Sequence, residues 1–155
     1  MYRKWIEMNT WDNKFIALAE YVATWSKDES TKVGAVIVDE ESKDIISMGY
    51  NGLPRGCNDN VPERQERPLK YSWFEHAERN SIYNAARHGK ATNGKTMYLQ
   101  WFPCKDCARA IIQSGIKKVV CFEPDFEHPR YGDSFKISSE MFGESGVEVV
   151  FAEKE

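Results

Sequence analysis

A chain of 155 residues with 41% hydrophobic residues has the length of one domain, expected to span 1–155, and enough apolar content to bury its own core. A net charge of −3 argues against broad electrostatic binding to nucleic acid, and no apolar run is long enough to cross a membrane. The opening stretch MYRKWIEMNTW lacks the apolar segment and cleavage site of a signal peptide, so a cytoplasmic location is expected, where the four cysteines (57, 104, 107 and 121) serve as metal ligands or buried thiols rather than disulfides.

In WDNKFIALAEYVATWS (11–26), apolar residues at 11, 15, 18, 22 and 25 have helical spacing with one buried face. VGAVIVD (33–39) and DIISMGY (44–50) flank the polar turn EESK and predict a hairpin. NGLPRGCNDNVPERQERP (51–68) reads as a long loop, and long loops inside compact domains tend to be functional. A helix over 76–89 ends at Gly89, a strand over 95–102 stops at Pro103, and a short helix over 104–115 ends at Gly115. A strand (117–122), a helix (133–146) and a final strand (147–152) follow. The order ββαβαβαβ predicts an α/β fold with one mixed five-stranded sheet between helices, a three-layer α-β-α arrangement. Trp5, Trp11, Trp25, Trp73 and Trp101 are expected to pack in the core or an interface. The charge run PERQERPLK (62–70) is expected to be a solvated loop, or alternatively to face a neighbouring subunit or an effector.

The chemistry concentrates in 74-FEHAER-79 and 102-FPCKDC-107. His76 opens one helix and Cys104 and Cys107 open another, where backbone N–H groups favour thiolate over thiol, and together they form a borderline-soft donor set suited to Zn2+. A structural zinc takes four protein ligands, whereas a catalytic one keeps a position for water. His88 lies three turns along its helix from His76, about 18 Å at 1.5 Å per residue, too far to share a metal. Cys121 reads as core; Cys57 and His128 lie on loops and remain open as a fourth ligand. Glu78, two residues after His76, can act as an acid/base beside an open zinc, although an acid in a first helical turn is also favoured by the dipole. H-x-E followed by P-C-x-x-C is the pattern of zinc deaminases, in which the glutamate is not a ligand.

With SKDESTKVGAVIVD (26–39), GYNGLPRGCND (49–59), HAERN and FPCKDCARAIIQSGIKKVV, the chain resembles the deoxycytidylate (dCMP) deaminases of the cytidine deaminase-like superfamily, from Ser26 to about Val120. The resemblance implies the cytidine deaminase-like fold and zinc-dependent hydrolysis of dCMP to dUMP and ammonia, supplying dUMP for thymidylate synthesis. It also implies a homohexamer activated by dCTP and inhibited by dTTP, with the loop of Gly49, Tyr50, Asn51, Gly52, Pro54 and Gly56 near the effector site. Asn51 is the expected deoxyribose contact, unless 50-YNGLP-54 is simply a turn. Ser26, Lys27 and Arg130 are candidates for the 5′ phosphate, and Phe126 or Tyr131 for an aromatic beside the nucleotide. Two features depart from the family pattern: Arg79 replaces a small or apolar residue, and 123–135 matches poorly. The alternatives are a deaminase of another cytosine nucleoside or nucleotide, or a structural zinc module with a fourth protein ligand and no role for Glu78. A tRNA adenosine deaminase is disfavoured by the GYNG loop and by the lack of a basic stripe for RNA.

Overall fold

The run GAVIV alternates its side chains between two apolar layers, and this sets the architecture. In the computed structural model, which describes residues 10–154, these residues form β1 (Gly34–Val38), buried along its whole length. Trp5 lies outside the described residues. Ala35 and Ile37 face one core, together with Met97, Leu99, Val119 and Cys121. Val36 and Val38 face the other, with Tyr98, Val120 and Phe122. Both faces are therefore covered, as the near-continuous apolar runs require.

β1 pairs antiparallel with β2 (Ile45–Tyr50) and with β3 (Thr96–Leu99). β3, β4 (Lys118–Phe122) and β5 (Glu148–Ala152) run parallel, giving the order β2-β1-β3-β4-β5. Helix α1 (Trp11–Ala23) covers one face through Phe15, Ile16 and Ala19, and the Thr10 hydroxyl caps its start by accepting the Asn13 N–H at 3.2 Å. The other face carries α3 (Ala77–Arg87), α4 (Lys105–Gln113) and α5 (Gly132–Ser145) through Ala77, Ala108, Ile111, Phe135 and Phe142. The predicted mixed five-stranded sheet between helical layers is the observed one.

Two glycines set how closely the helices approach. A Cβ on Gly34 would lie 2.1 Å from the Ala19 carbonyl oxygen of α1. A Cβ on Gly49 would lie 2.3 Å from the Ser81 N of α3. Gly49 therefore lets α3, whose start carries His76 and Glu78, sit directly on β2.

Three expectations need correction. The stretch after residue 51 contains a 3-10 turn (Pro62–Gln65) and a short helix α2 (Lys70–Trp73), both too brief to leave a periodic signal. Lys70, at the end of the charge run read as solvated, is buried, because a buried acid awaits it (below). Of core or interface, the core half fails for the described tryptophans: Trp11, Trp25 and Trp101 are 48%, 46% and 40% exposed, and Trp73 is half-buried, which leaves the interface half. Three of them meet neighbouring side chains. Trp11 stacks on Phe15, Trp25 meets Tyr21 and Tyr50 edge-on, and Arg64 lies 3.6 Å over the Trp73 ring.

Candidate metal centre and its cavity

His76 and Cys104 occupy the N-cap positions of α3 and α4. Such positions favour Ser, Thr, Asp or Asn, whose oxygen accepts a free N–H of the first turn. Neither His76 nor Cys104 makes a capping bond. Their side chains turn toward each other instead: His76 Nδ1 is 3.5 Å from Cys104 Sγ and 3.3 Å from Cys107 Sγ. The three donor atoms lie within 4.8 Å of one another, in a cluster that could hold a metal ion. No other group of three or more His, Cys, Asp or Glu side chains among the described residues does so. The Cys107 thiol and the His76 ring lower Cys104 to about 4 despite its burial, so a thiolate stands ready for a cation.

The other candidate ligands stand apart. Cys57 is exposed and free, and Cys121 is buried in β4, where burial pushes its thiol up to about 12. His128 stacks on Tyr131 at 4.9 Å, and its Nδ1 accepts the N–H groups of Arg130 and Tyr131.

Glu78 is 5% exposed in the first turn of α3, and burial raises its carboxyl pKa. An acid whose pKa is raised beside a cavity can both take and give a proton. The preceding residues fix His76. The Glu75 carboxylate accepts the His76 backbone N–H at 2.9 Å and is itself held by the Arg79 guanidinium. Glu75 also bridges Gly52 by two backbone hydrogen bonds, of 2.8 and 3.1 Å. Arg79, the departure in HAER, thus clamps the residue that orients the candidate ligand. The i,i+4 spacing of Glu75 and Arg79 was the signal in the sequence that could have found this.

A cavity of about 180 Å³ opens above the cluster. His76, Glu78 and Cys104 line it together with Phe74, Trp101, Phe102, Tyr131 and Phe135. One wall is a buried polar network. Asp28 Oδ1 accepts Lys70 Nζ at 2.7 Å and the N–H groups of Ser30 and Thr31, while Oδ2 accepts Asn51 Nδ2. Asn51 also donates to the Thr31 carbonyl at 2.8 Å and accepts the Val33 N–H at 2.9 Å. Ser26 donates to the Asn51 carbonyl at 2.7 Å. Asn51 therefore lines the cavity with both amide N–H groups and one lone pair of Oδ1 engaged, the second lone pair remaining, and the Ser26 hydroxyl braces its backbone carbonyl. Lys27 is exposed and paired with Asp59. It lines a second cavity of about 180 Å³ with Tyr50, Asn51, Gly52, Pro54 and Gly56. Phe126 packs edge-on against Phe102 at 5.9 Å, and Arg130 lies 5.7 Å from the Tyr131 ring. Asp28, Lys70, Trp101 and Arg67 were missed as cavity residues. Trp101, three residues before Cys104, was the most visible of them in the sequence.

The fold and this cluster define an α/β protein with three donors that could hold a metal ion beside a buried acid. The family model for the cytidine and deoxycytidylate deaminase zinc-binding region matches residues 9–123. The deoxycytidylate deaminase of Homo sapiens is 41% identical, with 88% of this chain and 76% of that protein covered. The deoxycytidylate deaminase of enterobacteria phage T4 is 36% identical, with 76% and 81% covered. The crystal structure of the apo dCMP deaminase of cyanophage S-TIM5 superimposes with a TM-score of 0.71 at 26% identity, covering 91% of this chain and 96% of that one. The chain belongs to the cytidine and deoxycytidylate deaminase family.

Two outcomes follow from the wall and the clamp. Lys70→Met leaves Asp28 buried without its cation and is expected to cost about 3–5 kcal/mol at pH 7. In the intact protein, burial raises the Asp28 carboxyl pKa, but Lys70 and the N–H groups of Thr31 and Ser30 outweigh it and leave it lowered. Its contribution is therefore present above the unfolded carboxyl value of about 3.9 and lost as pH falls through the folded one. The stability gap between wild type and Lys70→Met, read by urea denaturation, should be widest near neutrality and shrink in acid. A gap independent of pH would assign Lys70 to packing alone. Arg79→Ala should weaken zinc binding by about 10–100-fold in a chelator competition, as loss of a ligand-orienting contact does; unchanged affinity would rule the clamp out.

Proposed function

We propose that the protein is a zinc-dependent dCMP deaminase, hydrolysing dCMP to dUMP and ammonia and so supplying dUMP for thymidylate synthesis. The observation that carries this reading is the buried carboxyl of Glu78 beside a cluster of three donors. Three protein ligands leave one position of a tetrahedral ion for water. The donor spacing fits zinc. With Zn–N and Zn–S bonds of about 2.05 and 2.3 Å at a tetrahedral angle, nitrogen and sulfur stand about 3.5 Å apart. The observed separations are 3.5 and 3.3 Å.

In this reading His76, Cys104 and Cys107 hold the ion, which when bound supplies Lewis acidity and a water acidic enough to attack near neutral pH. Glu78 takes the proton that the attacking water gives up and delivers it to ring nitrogen 3 of cytosine. It then collects the remaining proton from the new hydroxyl on carbon 4 and passes it to the amino group, which leaves as ammonia as the carbonyl of dUMP forms. Burial supports both steps, because it raises the carboxyl pKa and so favours the protonated form more than in an exposed acid. Phe74, Trp101 and Phe102 shape the apolar walls around the base and exclude bulk water. Asn51 meets the deoxyribose while its amide stays bonded to Asp28, Thr31 and Val33.

The second cavity is the place at which dCTP or dTTP acts in this reading. Its Gly52 is bonded to Glu75, one residue before His76, which gives an effector a short mechanical route to the metal ligand. The exposed cluster of Tyr21, Trp25 and Tyr50 suits a contact between subunits of a homohexamer. Free cysteines and a thiolate site suit the reducing cytoplasm. Among the described residues, no helix is long and apolar enough to cross a membrane.

Ammonia release measured over cytidine, deoxycytidine, CMP, dCMP and dCTP should show the highest kcat/KM for dCMP. Glu78→Gln should keep its zinc and its melting temperature while losing turnover by about 10³-fold. Wild-type turnover in Glu78→Gln would remove the proposed proton shuttle.

A further inference from the structure

We infer that Arg67 and Arg130, converging on Tyr131 at the rim of the cavity, form the subsite for the substrate's phosphate, and that Arg67 is a specificity residue separating nucleotide from nucleoside. The inference rests on the deaminase reading and extends it to a residue of the charge run 62–70.

Position is the first argument. Arg67 and Tyr131 line the same cavity as His76 and Glu78. Glu78 is buried, Tyr131 half-buried and Arg67 exposed, so the three run from the deep end of the cavity to its mouth. A base entering to reach Glu78 would leave its 5′ substituent toward the mouth.

Charge is the second. The other cations at the cavity and the cluster are already neutralised: Lys70 by Asp28, and Arg79 by Glu75. Lys27 is paired with Asp59 and lines the other cavity. Among the described residues, no ion pair involves Arg67 or Arg130. Two uncompensated guanidiniums therefore stand at the mouth of a cavity whose deep end holds the Glu78 carboxyl and the Cys104 sulfur. A phosphate dianion is the group that complements such a pair, since guanidinium forks match its oxygens.

Preorganisation is the third. Arg67 Cζ lies 5.8 Å from the Tyr71 ring, and Arg130 Cζ lies 5.7 Å from the Tyr131 ring. Both arginines reach the Tyr131 phenol, whose pKa burial would raise but which they hold below its usual value. His128 stacks on Tyr131 and accepts the backbone N–H groups of Arg130 and Tyr131 at 3.1 and 3.2 Å. Less side-chain freedom is then left to lose when an anion arrives.

The test uses the zinc-loaded full-length protein and its Arg67→Gln, Arg130→Gln and double variants. Arg67→Gln should lower kcat/KM for dCMP by about 10–100-fold, the value of one charge-assisted contact, and change that for deoxycytidine less than about threefold on the same scale. The double variant should lose most of the preference for dCMP over deoxycytidine. Equal losses on both substrates, or an unchanged ratio, would overturn the inference. Binding separates it from the deaminase reading. If the wild type released ammonia from no cytosine compound, that reading would fail. The subsite would still be decided by calorimetry, in which wild type should bind dUMP at least about tenfold more tightly than deoxyuridine. Arg67→Gln should erase much of that difference; a preference intact in the double variant would refute the subsite.

Discussion

The structure depends on one convergence: the starts of two helices bring a histidine and two cysteines within bonding reach of a shared ion. Both N-cap positions give up ordinary capping for it, a sacrifice of about 1 kcal/mol each. Much of the surrounding chain keeps that convergence in place. Gly49 lets α3 lie on β2, and so fixes where His76 begins. The Glu75 carboxylate, held by Arg79, fixes the His76 backbone, and the Gly52 bridge ties the 51–56 loop to the same point. On the other side, β3 passes through Gln100–Pro103 into Cys104, with its strand buried between both cores.

Around this centre the polar groups are divided by burial. The Asp28–Lys70 pair is almost fully enclosed, and together with Asn51 and Ser26 it holds the wall rigid with its hydrogen bonds satisfied internally. Glu78 is enclosed as well, but no cation forms an ion pair with it among the described residues. A buried acid so placed retains its proton more readily, which is the property a proton carrier needs. The two buried acids are thus told apart by their partners: Asp28 has a buried cation, and Glu78 has no ion-pair partner among the described residues.

The sheet was legible because GAVIV and KVVCF alternate between two cores, and because polar turns and glycines bound each run. The metal cluster was legible because H-x-E and P-C-x-x-C fall at helix starts. The polar wall was not, because Lys70 reaches Asp28 across 42 residues and its flanking residues 68–69 and 71–72 are all exposed. α2, four residues long, was equally hidden. Asn51 was found as a cavity residue, but the bonds that occupy its amide come from one segment, residues 28–33, about twenty positions earlier in the chain. Arg67 was hidden for a different reason. In sequence it is one charge among several, and only the fold brings it to Tyr131, 64 residues on.

The central claim is that the metal has three protein ligands and one position open to water. X-ray absorption at the zinc edge on the purified protein tests it most directly. The account expects one nitrogen, two sulfurs at about 2.3 Å and one light oxygen ligand. A third sulfur, from Cys57 or Cys121, or a second histidine nitrogen, from His128, would close the site and contradict it.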